Sequence, residues 1–282
     1  MAFRVCTIGQ LGHGKTTLKT ALAQSQSNTA APLDKNGIVY DATRVQYQTP
    51  TRQYDHVDFA GPSDATKYFI TQGSALNAVI LVVSATEGPT QQVRDQLLLA
   101  KQVGLTSIVL LLNKTDLIDD DGVLDLVEDD VRELVIEYDF VGADMPVVRG
   151  SALKAAQGTD KSTVAALLQS LDAFPQHNNE QVTSANVSFK FEALVSLRTT
   201  AEGGRRTPFY QGYIPRLKFP VAGKTILGKI EFTGGVTSGN PGAVITLKIT
   251  LFEGLNLSPK TTRFSIEEGG IDIGHGVVTR VG

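Results

Sequence analysis

Phe3-Arg-Val-Cys-Thr-Ile8, followed at once by Gly9-Gln-Leu-Gly-His-Gly14-Lys15-Thr16-Thr17, decides how this chain folds. The second stretch satisfies G-x-x-x-x-G-K-S/T in full, with a strand-like apolar run before it and a helical start over 18–23 after it. Glycines at these positions let successive backbone N–H groups turn inward around a phosphate. The helix that follows aims its positive end at the same anion. In such a loop Lys15 neutralises the β- and γ-phosphates and the Thr16 hydroxyl binds Mg²⁺, with Gly12, His13, Gly14 and Thr17 completing the phosphate cradle. Outside that strand–helix setting the same residues would form only a glycine-rich turn.

Outward from the loop, strands and helices alternate. Ala78–Ser84 and residues 107–112 are continuous apolar runs, as expected of parallel strands buried on both faces. Residues 89–103 read as a helix between them. Leu124, Val127, Val131, Leu134 and Tyr138 form the apolar stripe of another, whose acidic remaining face is a solvated one. A short strand over 146–148 and a helix over 162–174 complete a doubly wound α/β pattern, a P-loop nucleotide-binding domain over 1–174. The polar stretch 175–186 reads as a linker. From 187 to 282 only short alternating runs between Gly/Pro/Asn turns remain, which indicates a small all-β barrel.

Three further segments select the base. Asp58-Phe-Ala-Gly61 follows the extended run 53–57 and fits D-x-x-G, with Asp58 reaching Mg²⁺ through water and the Gly61 N–H meeting a γ-phosphate. Asn113-Lys114-Thr-Asp116 fits N-K-x-D at the end of a strand. Asp116 there accepts hydrogen bonds from the guanine N1–H and 2-amino group. A site built on such bonds rejects adenine strongly, because its polar groups would go unpaired. Ser151, Ala152 and Leu153 offer backbone N–H groups to the guanine O6. Four motifs in this order, each on a strand end, call for GDP or GTP with Mg²⁺.

Composition excludes other classes. With 41% hydrophobic and 20% charged residues the chain is an ordinary globular one, and no run approaches the roughly 18 apolar residues of a membrane span. No signal peptide is expected before the first strand. The single cysteine, Cys6, rules out an internal disulfide framework and suits a reducing compartment, so a cytoplasmic location is expected, with no membrane or DNA partner. His13, His56, His177 and His275 lack metal-ligand spacing, and no G-x-S-x-G elbow is present. Residues 1–184 hold 14 Lys/Arg against 22 Asp/Glu, whereas residues 185–282 hold 12 against 7. The positive second half suits RNA, an acidic protein, or the acidic first half itself. Arg205 and Arg206, near Phe209, Tyr210 and Tyr213, are candidates either for RNA contact or for contact between the two domains.

Long stretches carry a family likeness. Gly12-His-Gly-Lys-Thr-Thr-Leu18, Tyr47-Gln-Thr-Pro-Thr-Arg52, Lys101-Gln-Val-Gly104 and Val148-Arg-Gly-Ser-Ala-Leu-Lys154 resemble bacterial elongation factor Tu. Glu202-Gly-Gly-Arg-Arg-Thr-Pro-Phe209, Arg263-Phe-Ser-Ile-Glu-Glu-Gly-Gly270 and Gly274-His-Gly-Val-Val278 resemble that factor's third domain. The resemblance implies a Tu-like translational GTPase without the family's middle barrel, which helps hold the aminoacyl end of tRNA. It also exposes departures. The family's Arg-Gly-Ile-Thr switch is Asn36-Gly37-Ile38-Val39, so the Mg²⁺-binding hydroxyl is an isopropyl group. Asp-x-Pro-Gly-His becomes Asp58-Phe59-Ala60-Gly61-Pro62, so the water-ordering histidine is a proline, and the usual loop aspartate is Gly12.

Binding should therefore outlast turnover. The expectation is a GDP/GTP-binding module with weak GTPase activity and a regulatory or partner-binding role. The alternatives are a carrier of aminoacyl-tRNA or other RNA, and a decoy that occupies contacts of elongation-factor partners such as the exchange factor. By register His56 lies too early to replace the missing histidine.

Overall fold

The apolar run before the glycine loop forms strand β1 (Phe3–Ile8), and helix α1 (Lys15–Ala23) leaves the loop's far end. A computed structural model describes residues 2–23, 28–29, 42–138, 140, 144–175 and 187–282, so Asn36 to Val39 and linker residues 176–186 lie outside the described residues. The first part continues with β2 (Asn28–Thr29), β3 (Ala42–Gln48), β4 (Gln53–Phe59), α2 (Pro62–Gln72), β5 (Ala78–Ser84) and α3 (Gln91–Gln102). It ends with β6 (Ile108–Asn113), α4 (Asp121–Glu137), β7 (Val147–Arg149), α5 (Ala152–Ala156) and α6 (Ser162–Ala173). Its seven strands form one sheet in the order β2-β3-β4-β1-β5-β6-β7.

β5 and β6 are buried at every residue, as continuous apolar runs between helical layers must be. β4, β1, β5, β6 and β7 run parallel, while β3 and β2 are antiparallel additions at one edge. The doubly wound pattern thus gains a hairpin. β3 turns into β4 at Thr49–Arg52, where the Thr49 N–H donates to the Arg52 carbonyl at 2.8 Å. Val45 and Tyr47 of β3 are buried and Gln46 between them is exposed, a half-buried register that no apolar run announces. Phe3, Val5, Ile80, Val82, Val109 and Leu111 pack with Leu18 and Leu22 of α1 and Leu167 and Leu171 of α6 in one core. β1 lies between β4 and β5, and the chain crosses to opposite sides of it. That reversal opens a crevice at the carboxyl ends of the strands, where ligands of open α/β sheets bind.

The second part contains β8 (Val187–Leu197), β9 (Phe209–Tyr210), β10 (Arg216–Phe219), β11 (Lys224–Phe232), β12 (Ser238–Gly239), β13 (Val244–Asn256), β14 (Arg263–Glu268) and β15 (Ile271–Val281). Six of these close into an antiparallel barrel in the order β10-β11-β13-β8-β15-β14, with β14 pairing back onto β10; β9 and β12 form a separate ribbon. Strict alternation puts Ile226 and Ile230 of β11 and Ile245, Leu247, Ile249 and Leu251 of β13 inside. The chain separates into two compact units, one of Met1–Ala65, Ala75–Lys101 and Leu105–Asn178, the other of Thr66–Ser74, Gln102–Gly104 and Asn179–Gly282. No helix of the described residues is long and apolar enough to cross a membrane.

Phe264 anchors the barrel interior. Its ring lies 5.5 Å from both Phe191 and Phe219, and the missing side chain of Gly276 leaves it room: a Cβ there would stand 2.4 Å from its Cζ. Phe264→Ala is expected to cost about 3–5 kcal/mol, the range for emptying a buried aromatic site. Chemical denaturation read on the barrel checks it, and a change within about 0.5 kcal/mol would contradict this packing.

Candidate functional site

The sequence motifs converge on the carboxyl ends of the parallel strands. The glycine loop follows β1, Asp58 lies near the end of β4, Asn113 ends β6, and Ser151 follows β7. Asn113 ties three of these together. Its side-chain N–H donates to the His13 carbonyl at 2.8 Å, and its Oδ1 accepts from the Ala152 N–H at 2.8 Å. Gly14 must be glycine for this: its φ is +99°, and a Cβ would stand 2.1 Å from the Asn113 amide nitrogen.

The loop is folded on itself. Lys15 Nζ donates to the carbonyls of Gly9 (2.8 Å) and Gln10 (2.9 Å), and the His13 N–H donates to Gln10 at 3.2 Å. Burial lowers the Lys15 pKa and the negative charge of Asp58 opposes it. Gly12 and Thr16 are exposed, whereas Gly14 and Thr17 are half-buried. The His13 ring is fully buried, with Nδ1 3.3 Å from the Val82 carbonyl and Nε2 3.5 Å from Glu87 Oε2. Burial keeps it less basic than usual, partly offset by Val82 and Glu87.

Within the Asn113–Asp116 segment, Lys114 adopts a left-handed conformation (φ 62°), a strain of order 1–3 kcal/mol of the kind found at functional sites. Its ammonium stands 3.3 Å from Glu87 Oε1. Asp116 is exposed in the turn 115–117 that follows. Ser151 caps α5 by accepting from the Lys154 N–H at 3.3 Å, and Leu153 is exposed in the same turn. A cavity of about 650 Å³ lies beside this site, between the segment after β5, α3 and α4. Glu87, Asp130, Glu133 and Glu137 line it with Arg94, a charge balance that repels phosphate.

Asp58 is 4% exposed, and its Oδ1 is buried without a hydrogen-bond partner among the described residues. Burial raises its pKa, against the charges of Lys19 and Lys15 and hydrogen bonding to Lys19 and Thr16. Among the described residues no three His, Cys, Asp or Glu side chains gather as a metal cage. A divalent cation here would draw on Asp58, Thr16 and phosphate oxygens, the usual Mg²⁺ arrangement, and the orphaned Oδ1 fits a metal-bound water. Gly61 and Pro62 open α2; the Gly61 carbonyl accepts from the Ala65 N–H at 3.2 Å, and Pro62 is exposed.

Sequence reasoning missed three positions. The Gly9 N–H donates to the buried side chain of Gln96 at 2.7 Å, so α3 braces the start of the loop. Glu87 meets His13, Lys114 and Gln10, and Lys19 meets Asp58. Each link spans distant segments, and only the four-residue step from Lys15 to Lys19 was visible in one dimension. Arg205 is engaged inside the second unit, over the Tyr213 ring at 5.2 Å and paired with Glu268; Arg206 and Tyr210 are exposed.

His56 is fully buried between Thr7 Oγ1 (2.5 Å from Nε2) and the Tyr47 hydroxyl (3.4 Å from Nδ1), so it orders strands rather than water. Burial, aided by the charge of Lys19, pushes its pKa down to about 3. In the unfolded chain histidine titrates near 6.5, so between these values only the unfolded state takes the proton. Stability is fully present above pH 6.5 and is expected to fall as pH drops, by about 1.4 kcal/mol per unit from this group. Urea midpoints against pH check it: His56→Asn should show a shallower acid limb, and identical limbs would contradict the assignment.

A family model described as the elongation factor Tu GTP binding domain matches residues 2–177, and one described as the elongation factor Tu C-terminal domain matches residues 184–282.

Proposed function

Because the chain belongs to the elongation factor Tu family of GTP-binding proteins, we propose that it is a GDP/GTP-binding module with weak GTPase activity and a regulatory or partner-binding role. The observation that carries the reading is the Asn113 bridge, which holds the phosphate loop and the start of α5 at one distance from the base-reading turn. In this proposal Gly12 to Thr17 and the Gly61 N–H hold the phosphates, and Thr16 and Asp58 hold Mg²⁺, whose chemistry is to neutralise phosphate charge. Asn113, Lys114 and Asp116 hold the guanine. The Ala152 N–H is committed to Asn113, so the O6 contact falls mainly to the Leu153 N–H.

Weak turnover follows from Pro62 and the sequestered His56. A proline ring offers no polar atom to an attacking water, and at the first turn of α2 it rigidifies the segment after Asp58. The proposed division is a nucleotide domain over 1–174, a linker over 175–186 and a barrel over 187–282, in a cytoplasmic protein. As a second reading, exposed Arg206 and Tyr210 leave a contact for RNA in translation.

Calorimetry tests the nucleotide. GDP is expected to bind at least about a hundredfold tighter than ADP, and Asp116→Ala should weaken GDP while leaving ADP unchanged. Equal affinity for the two nucleotides would sink the guanine assignment. In single-turnover hydrolysis, Pro62→His together with Val39→Thr is expected to exceed the wild type by about tenfold or more. A wild-type rate already matching that double variant would refute weak turnover.

A further inference from the structure

Residues three and four apart on a helix share a face, so Lys19 sits one turn along α1 from the Lys15–Thr16 pair. Its side chain is only 17% exposed. The ammonium donates to Thr43 Oγ1 at 2.9 Å and stands 3.5 Å from Asp58 Oδ2. Thr43 and Asp58 are register partners across β3 and β4, so the lysine spans from α1 to one cross-strand pair. Lys15 acts on the same carboxylate. The Lys15 ammonium is itself bound to the Gly9 and Gln10 carbonyls, so Lys19 is the ammonium in contact with the buried carboxylate.

That arrangement changes what a phosphate meets. An uncompensated buried carboxylate repels phosphate oxygens, and the usual remedy is a dication placed between the two. Here the remedy is already covalently attached. A dication approaching Asp58 also meets the positive charge of Lys19, which weakens its hold.

We propose that Lys19 is the resident counter-cation of the nucleotide site, balancing Asp58 so that guanine nucleotide is held with little dependence on Mg²⁺. This rests on the guanine-nucleotide reading above.

The test measures GDP affinity of the nucleotide-stripped full chain in Mg²⁺ and in EDTA. For the wild type the two dissociation constants are expected to agree within about threefold. Lys19→Met should lose about a hundredfold in EDTA and regain most of it with Mg²⁺, because it strands a buried charge. Lys19→Arg, which keeps the charge, should stay insensitive to EDTA. The double variant Lys19→Met/Asp58→Asn should regain insensitivity, because both charges are gone; this arm also serves if Lys19→Met alone fails to fold. A wild type that loses GDP in EDTA as steeply as Lys19→Met overturns the inference and leaves the nucleotide reading standing. Absence of GDP binding in both buffers removes the nucleotide reading, and the inference with it.

Discussion

Two hydrogen bonds made by one buried amide hold the carboxyl-end crevice of the α/β unit together. Asn113 donates to the carbonyl of His13 and accepts from the N–H of Ala152, so the last residue of β6 spans the phosphate loop and the first turn of α5. Without the amide, both backbone groups would be left unpaired, at about 1–3 kcal/mol each. The same amide occupies the space where a side chain at position 14 would lie. The glycine in the loop and the asparagine at the strand end are therefore one constraint seen from two places in the chain.

Around that bridge the site is organised by charge shared between elements. Glu87, from the segment after β5, faces the His13 ring on one side and Lys114 on the other, and Lys114 holds a left-handed turn while doing so. Gln96 fixes the first glycine of the loop from α3. The loop is thus braced at its beginning by Gln96, in its middle by Asn113, and at its end by α1. Rigid bracing of this kind lowers the ordering cost of binding an anion there.

How much was legible in one dimension follows from how local each signal is. The phosphate loop with its flanking strand and helix, the buried strands β5 and β6, and the helices α4 and α6 are written in contiguous or periodic residues. β3 is not, because its register alternates at the half-exposed edge of the sheet, and polar residues there carry no apolar run. Lys19 meets Thr43 and Asp58 together because β3 pairs with β4 in that register, and Gln96 reaches Gly9 only because β1 and β5 are neighbours. Arg205 read as a candidate for contact with RNA or with the other domain, and its pairing with Glu268, 63 residues later in the chain, had no signal in the sequence. Long-range electrostatics are set by topology, which single-sequence patterns do not encode.

The barrel carries a different consequence. Each of its six strands has a neighbour on both sides, from β10 round to β14 and back. Closure leaves those strands no row of unpaired amides, so an extended peptide cannot join them by backbone pairing. Whatever recognises this wall must read side chains standing on it, such as the exposed Leu227 of β11 and Phe252 of β13, and substitutions on its outer face can change the choice of partner while leaving the hydrogen-bond ladder intact.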